Sequence, residues 1–130
     1  MEHTPPESGS VAAAITVLDR HFAAINAGDA AAVAATLHFP HYRLAGTRMQ
    51  VWESPATYLD DFRARAGEAW HHSAWNFRNI IAASADKVHF DVQFTRYRAD
   101  GSVLGTYRSL WVVCLIDGRW AAQLRSSFAG

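Results

Sequence analysis

The residues best able to do chemistry form the run HFPHYR at positions 38–43, inside a longer stretch from 37 to 52. Histidine titrates near neutral pH, so His38 and His41 are candidate catalytic bases. Arginine binds carboxylate or phosphate groups through two parallel hydrogen bonds, so Arg43 is a candidate ligand-binding residue if it faces a cavity. Strand alternation leaves the direction of Arg43 open, since Tyr42 and Arg43 must face opposite sides.

A metal site is a weaker alternative for the same run. The i, i+3 spacing of His38 and His41 would present two imidazoles on one helix. Pro40 lies between them and ends a helix, so the two side chains diverge. A third ligand would have to come from His71 or His72. We therefore predict no metal and no other cofactor, with a metal-dependent enzyme as the third choice.

Further candidates lie before and after this run. His21, at the edge of an apolar helix stripe, is either a hydrogen-bonded histidine of the core edge or a polar cavity group. His71 and Trp75 share a face of a predicted strand, which is either a wall for a flat apolar ligand or a dimer interface. The predicted substrate-binding set is Arg43, Trp52, Tyr58, Phe62, His71 and Trp75.

Three helices are predicted in the N-terminal half. Steps of four and three residues separate the apolar positions of the first helix, which are Val11, Ile15, Leu18, Phe22 and Ile25. Ser8 or Ser10 caps this helix and Gly28 ends it. Asp29 caps a second helix that runs from 30 to about 38. Ser54-Pro55 starts a third helix that runs to about residue 66.

Strands follow from residue 69 onwards. The sequence predicts two short strands around Gly46 (42–52) and long strands over 70–83, 88–95, 105–116 and 119–128. Asp117-Gly118 is a hairpin signal. Helices first and antiparallel strands later indicate an α+β fold, with helices covering one face of a curved sheet. Such a sheet leaves a concave cavity suited to a small-molecule ligand.

Composition excludes several classes of protein. The 130 residues suit one domain, predicted over 10–130 after a flexible lead-in at 1–9. Basic and acidic residues balance at 12 each, so bulk charge favours neither nucleic acid nor a membrane surface. Cys114 is the only cysteine, and the N-terminus does not read as a signal peptide. We expect a cytoplasmic protein.

The run RHFAAINAGD at 20–29 resembles the first helix and hinge of the cone-shaped α+β barrel superfamily. That group includes nuclear transport factor 2, ketosteroid isomerase and the SnoaL-like polyketide cyclases. The segment from GRW at 118–120 to SSF at 126–128 is similar to its last strand. The likeness spans about residues 10–128. It implies this fold, but little about function. We also expect a homodimer through the open sheet face.

The isomerase site of that superfamily can be carried over by position. Its oxyanion tyrosine falls at His21, its catalytic aspartate near Ala45, and its second acid near Ser109 or Leu110. None of these groups is kept, so the usual isomerase mechanism is not implied. Two hypotheses remain. One is a SnoaL-like enzyme that transfers a proton by histidine on a small, largely apolar molecule, with Arg43 or Tyr58 stabilising negative charge. The other is a non-catalytic module that binds a ligand or a protein.

Overall fold

The structure is a computed structural model, described here for residues 6–129. It contains three helices and six strands, in the order α1 (Pro6–Ala27), α2 (Ala30–Ala35), β1 (Leu37–Ala45), β2 (Arg48–Trp52), α3 (Tyr58–Ala66), β3 (His72–Ala83), β4 (Lys87–Tyr97), β5 (Val103–Ile116) and β6 (Arg119–Ser127). The six strands form one curved sheet in the order β2-β1-β6-β5-β4-β3. The predicted α+β class, with helices in the N-terminal half, is confirmed.

One strand pair differs from the others. Every neighbouring pair is antiparallel except β1 and β6, which run parallel. β1 therefore lies between its own hairpin partner β2 and the last strand of the chain. This arrangement brings the HFPHYR run, near residue 40, beside residues 122–127.

The core forms between the helices and the inner face of the sheet. Val88, Phe90, Val92 and Phe94 are buried, as their alternation predicts. Phe22 of α1 stacks on Trp75 of β3 with ring centres 3.9 Å apart and planes 6° apart. The Trp75 indole Nε1 also donates to the Leu18 carbonyl at 3.1 Å. These contacts fix α1 across the sheet and make Trp75 part of the core packing.

Helix boundaries differ from the sequence predictions at three places. One is the start of α3, which begins at Tyr58 after the N-cap Thr57 and not at Ser54-Pro55. α1 begins at Pro6, so the caps predicted at Ser8 or Ser10 are wrong, because proline fits a first helical turn without losing an amide donor. Residues 6–9 of the predicted lead-in are helical, and residues 1–5 lie outside the described residues.

The third difference changes the setting of the histidine run. Asp29 caps α2 as predicted by accepting from the Ala32 amide, but the helix ends at Ala35 and not near residue 38. β1 already begins at Leu37, where the chain pairs with Ala122 of β6. Strand pairing has overridden the helical tendency of the alanine-rich segment. Pro40 is tolerated in a central strand because the β1–β6 register shifts between residues 37 and 42.

None of the helices in residues 6–129 has the length and apolar character needed to cross a bilayer.

Candidate functional site

A narrow cavity lies between the helices and the inner face of the sheet. Its walls come from seven of the nine elements, all except α2 and β2. The lining residues are His21, Phe22, Arg43, Tyr58, Phe62, Arg65, Ser73, Phe94, Arg96, Ser109, Trp111, Arg125 and Ser127. The empty space between these atoms is about 370 Å³, of which about 20 Å³ is open to the centre of a water molecule. The wall combines aromatic side chains with four arginines.

Arg43 enters this cavity from β1 and is only 2% exposed. Its Nη1 donates to the Gln50 side-chain oxygen at 2.8 Å, and its Nη2 donates to the Ala129 carbonyl. Burial, with the nearby positive charge of Arg125, lowers the pKa of Arg43 to about 10. The guanidinium therefore remains charged at neutral pH, held by neutral acceptors alone.

Arg96 and Arg125 enter from β4 and β6 and are each 5% exposed. The Arg96 Cζ lies 5.0 Å from the Tyr107 ring centre and 5.7 Å from that of Phe94. The Arg125 Cζ lies 4.9 Å from the Trp111 ring centre. Aromatic faces attract these cations, but they do not neutralise them. Burial is also the main cause that lowers the pKa of Arg96.

Arg65 completes the group from α3. It follows Tyr58 and Phe62 at spacings of seven and three, so all three side chains share one helix face. Its Cζ lies 5.4 Å from the Phe62 ring centre. Burial, followed by repulsion from Arg125, lowers the pKa of Arg65 to about 9.

No carboxylate lines this cavity. The ion pairs found within residues 6–129 join Arg78 to Asp19 and Arg108 to Asp91, away from the cavity arginines. Several buried polar atoms of the wall also have no hydrogen-bond partner. They are the Tyr58 hydroxyl, the Trp111 Nε1, the Arg65 Nε and the Arg96 Nε. Buried polar atoms are nearly always paired, so the cavity presents unused hydrogen-bond donors.

His21 lies in the wall with a defined tautomer. The Thr36 hydroxyl donates its hydrogen to the Val33 carbonyl at 2.7 Å, so its oxygen accepts from the His21 Nδ1–H at 2.8 Å. The assignment leaves the lone pair on Nε2. Burial, followed by the charge of Arg125, holds the pKa of His21 well below 6.5. The ring is therefore neutral at physiological pH.

The two histidines of the HFPHYR run do not line the cavity. His38 bonds the Cys114 carbonyl through Nε2 at 2.9 Å, and its Nδ1 lies 3.3 Å from the Arg119 guanidinium. His41 bonds the Ala122 carbonyl at 3.1 Å. Burial, with Arg125 second, lowers the pKa of His41 to about 3. Strand pairing separates the two rings, so the structure does not bring them together as a catalytic pair at the cavity.

The remaining predicted binding residues divide between three places. Tyr58 and Phe62 line the cavity with Arg43. His71 is exposed, with its Nδ1 3.0 Å from that of His72. Trp75 is stacked on Phe22, outside the cavity lining. Within residues 6–129, no three histidine, cysteine, aspartate or glutamate side chains gather as a metal site requires.

Trp52 belongs to an outer cleft between β1, β2 and α3. This cleft is lined by Arg43, Ala45, Arg48, Gln50, Val51, Trp52, Asp61, Ala64 and Arg65, and about 600 Å³ of it is open to water centres. The Trp52 Nε1 donates to Asp61 at 2.8 Å. Arg43 and Arg65 line both spaces, so the cleft and the cavity adjoin at these two guanidinium groups.

The sequence analysis missed Arg65, Arg96 and Arg125 as site residues, although two of them carried a signal. Arg96 has the same parity as the buried residues 88–94 of β4, and Arg65 continues the apolar face of α3. Among the strand arginines of residues 6–129, Arg108 pairs with Asp91 on the outer face of the sheet. Arg125 had no clear signal, because a register shift in the β5–β6 pair alters the alternation.

Comparison with solved structures bears on the fold. A protein of unknown function with a cystatin-like fold from Nostoc punctiforme PCC 73102 superposes with a TM-score of 0.74 at 14% identity, over 98% of this chain and 93% of that chain. An NTF2-like protein from Cytophaga hutchinsonii ATCC 33406 gives a TM-score of 0.69 at 18% identity, over 89% and 94%. The chain has an NTF2-like fold.

A ketosteroid isomerase-like protein from Erwinia carotovora atroseptica SCRI1043 is also similar to this chain. Its TM-score is 0.64 at 18% identity, over 89% of this chain and 92% of that chain. No family model and no curated protein matches the sequence. At these identities, the structural likeness establishes the fold and leaves the function to the residues of the site.

Proposed function

We propose that this chain is a ligand-binding NTF2-like protein that holds a small molecule in the cavity and the adjoining outer cleft. The observation that carries the proposal is the set of buried, unpartnered polar atoms around the cavity. Leaving such groups unpaired costs about 1–3 kcal/mol each, so a bound molecule with hydrogen-bond acceptors gains from meeting them. The outer cleft, beside Val51 and Trp52, has room for the apolar portion of the same molecule.

Binding without histidine catalysis fits the site better than proton transfer. His21 is the one histidine in the wall, and its low pKa makes it a weak base. His38 and His41 are engaged with backbone carbonyls away from the cavity lining. The non-catalytic alternative therefore leads, and the isomerase or cyclase hypothesis is second.

A binding screen tests this proposal. Neutral, anionic and cationic molecules of up to about twelve heavy atoms are mixed with the protein and followed by saturation-transfer NMR. Ser109 lines the cavity, so Ser109→Leu fills it, whereas Ser102→Leu places the same side chain at an exposed turn. We expect binding that survives Ser102→Leu and is lost in Ser109→Leu. Binding that ignores both substitutions, or no binding at all, contradicts the proposal.

We also propose that the chain forms a homodimer through the outer face of its sheet. A groove on that face is lined by Ile81, Asp91, Arg108, Ser109, Leu110, Ser126 and Phe128. It exposes large apolar side chains beside one ion pair of both signs. A two-fold axis sets a patch against its own copy, so a patch with both charges and an apolar surround is complementary to itself.

A further inference from the structure

We propose that the cavity recognises the carboxylate group of a small organic acid, with the body of the acid lying in the outer cleft. This inference rests on the proposed ligand-binding function and names the chemical class of the ligand. Four observations carry it: the charge of the wall, the absence of a counter-ion, the unused donors and the shape of the connected space.

The first argument is charge. Four of the 12 basic residues of this chain line one cavity, and no aspartate or glutamate lines it with them. Charged side chains are seldom buried without a partner, because the loss of hydration is large. The guanidinium of Arg125 packs against aromatic rings, and that of Arg96 has the side chain of Tyr107 as a neutral hydrogen-bond partner. Neither forms an ion pair within residues 6–129, and the two groups repel each other. An anion in the cavity supplies the missing partner.

The second argument is the hydrogen-bonding capacity of the cavity wall. A carboxylate has only acceptors, and the unpartnered groups of Tyr58, Arg65, Arg96 and Trp111 can all donate. Water could accept from the same donors, but it brings no charge. A cationic or donor-rich ligand would leave these groups unpaired and would add repulsion. The wall therefore selects an anion over a neutral or cationic group.

The third argument is space. The inner cavity admits water centres over only about 20 Å³, which is roughly the room for one or two oxygen atoms. A planar carboxylate places two oxygens in such a space and matches the fork of an arginine. A tetrahedral phosphate or sulfate needs more room. The outer cleft, with about 600 Å³, takes the remainder of the acid beside Trp52 and Val51.

Arg43 and Arg65 occupy the junction between the two spaces. A carboxylate at this junction lies between these two arginines and the deeper pair, Arg96 and Arg125. Arg48 and Gln50 line the cleft, so the remainder of the acid can carry polar groups. This ligand differs from the largely apolar molecule that the fold resemblance implied.

The test compares matched ligand pairs by isothermal titration calorimetry. A panel of carboxylic acids with four to twelve heavy atoms, benzoate among them, is titrated beside the corresponding neutral amides, inorganic phosphate and sulfate. We expect at least one carboxylate to bind about tenfold or more tightly than its amide, since hydrogen bonds to charged groups are the stronger ones. Tighter binding of phosphate or sulfate than of every carboxylate overturns the choice of a carboxylate.

Variants locate the binding. Arg96→Met and Arg65→Gln each remove one cavity guanidinium, and we expect either to weaken the best carboxylate about tenfold or more. Arg108→Met is the matched control, because this arginine lies on the outer face and pairs with Asp91. Two cavity variants are used so that the test still stands if one of them fails to fold. Equal loss in Arg108→Met, or no loss in the cavity variants, overturns the inference.

The outcomes separate this inference from the proposed function. If the amides bind as well as the acids and Ser109→Leu abolishes both, the ligand-binding function stands and the carboxylate inference falls. If no molecule of the panel binds, both fall.

Discussion

Four cavity arginines, of which three are buried and Arg65 is half-buried, are the unusual residues of this protein. A guanidinium that leaves water without an anion loses hydration and gains little in return. The pKa of Arg65 falls to about 9 and that of Arg43 to about 10 for this reason, with mutual repulsion adding to burial. The unliganded protein is thus destabilised at the place where it is proposed to bind.

Replacing one of these arginines should stabilise the unliganded protein. Arg125→Met keeps an unbranched side chain and removes the charge that, after burial, does most to lower the pKa of Arg43 and of Arg65. We expect the free energy of unfolding to rise by about 1 kcal/mol or more, because a buried unpaired charge is exchanged for an apolar group. Urea denaturation with linear extrapolation measures the change.

Arg108→Met provides the comparison, since the Arg108 side chain is 54% exposed and exposed substitutions change stability by less than about 0.5 kcal/mol. A loss of stability in Arg125→Met would mean that its contacts with Tyr58 and Trp111 outweigh the cost of its burial.

The buried histidines predict a stability that falls in mild acid. The folded-state pKa of His21 and that of His41 lie below the unfolded value of 6.5, so the unfolded chain binds more protons below that pH. Stability is therefore lost as the pH falls below about 6.5, by about 2 kcal/mol for His41 between pH 7 and pH 5, and His21 adds to this loss in the same direction.

The double variant His21→Gln with His41→Gln should flatten this dependence in urea unfolding measured at several pH values. His71→Gln, at an exposed position, should leave the slope as it is in the parent protein. An unchanged slope in the double variant would contradict the assignment of both rings as buried and neutral.

At the scale of elements, periodic patterns were predictable and long-range pairing was not. The α1 stripe and the β4 alternation depend on neighbours within one element, so the sequence alone indicated them. The end of α2 depends on Leu37 meeting Ala122, a partner 85 residues away in the chain. The local sequence does not indicate such a distant partner. The predicted second helix is therefore too long, and it wrongly includes His38, which lies in β1.

The site divides in the same way. Tyr58 and Phe62 follow from the helical face of α3, and they do line the cavity. The direction of Arg43 and the burial of Arg125 depend on which strands flank β1 and β6. The charge of the cavity is a property of the assembled cone, so single-strand patterns could not reveal it.

The outer face of the sheet supports a prediction about assembly. Leu110 is 36% exposed within the apolar groove of that face. Leu110→Lys places a charge at the proposed interface and should convert a dimer to a monomer at micromolar concentration, as measured by sedimentation equilibrium. Met49→Lys is the control, because Met49 is 56% exposed on the edge strand β2. A parent protein that is already monomeric contradicts the proposed interface.

For the whole molecule, positive charge is concentrated in the cavity, and the remaining residues carry a net negative charge. The chain is formally neutral, but four of its 12 basic residues line the cavity, which leaves eight against 12 acidic residues elsewhere. An acid that approaches this protein meets an acidic exterior before a basic interior. If the proposed carboxylate binding holds, its selectivity arises from contacts inside the cavity and not from long-range attraction by the surface.

The last strand determines whether the cone can exist. β6 lies in the middle of the sheet and pairs with both β1 and β5. Deleting residues 119–130 should separate the β1–β2 hairpin from the other strands and abolish cooperative thermal unfolding by circular dichroism. A truncated chain that still melts in one sharp transition would contradict this role of β6.

The parallel pairing of β1 with β6 also sets an order of events during synthesis. A ribosome makes β1 long before β6, so β1 waits through about 75 residues of translation without its central neighbour. Contacts so distant in sequence form slowly, since a long loop must close first. The arginines at 43 and 125 meet only at that final closure. The nascent chain thus carries these two cationic groups in water until β6 has been made, and their desolvation is deferred to the pairing of β1 with β6.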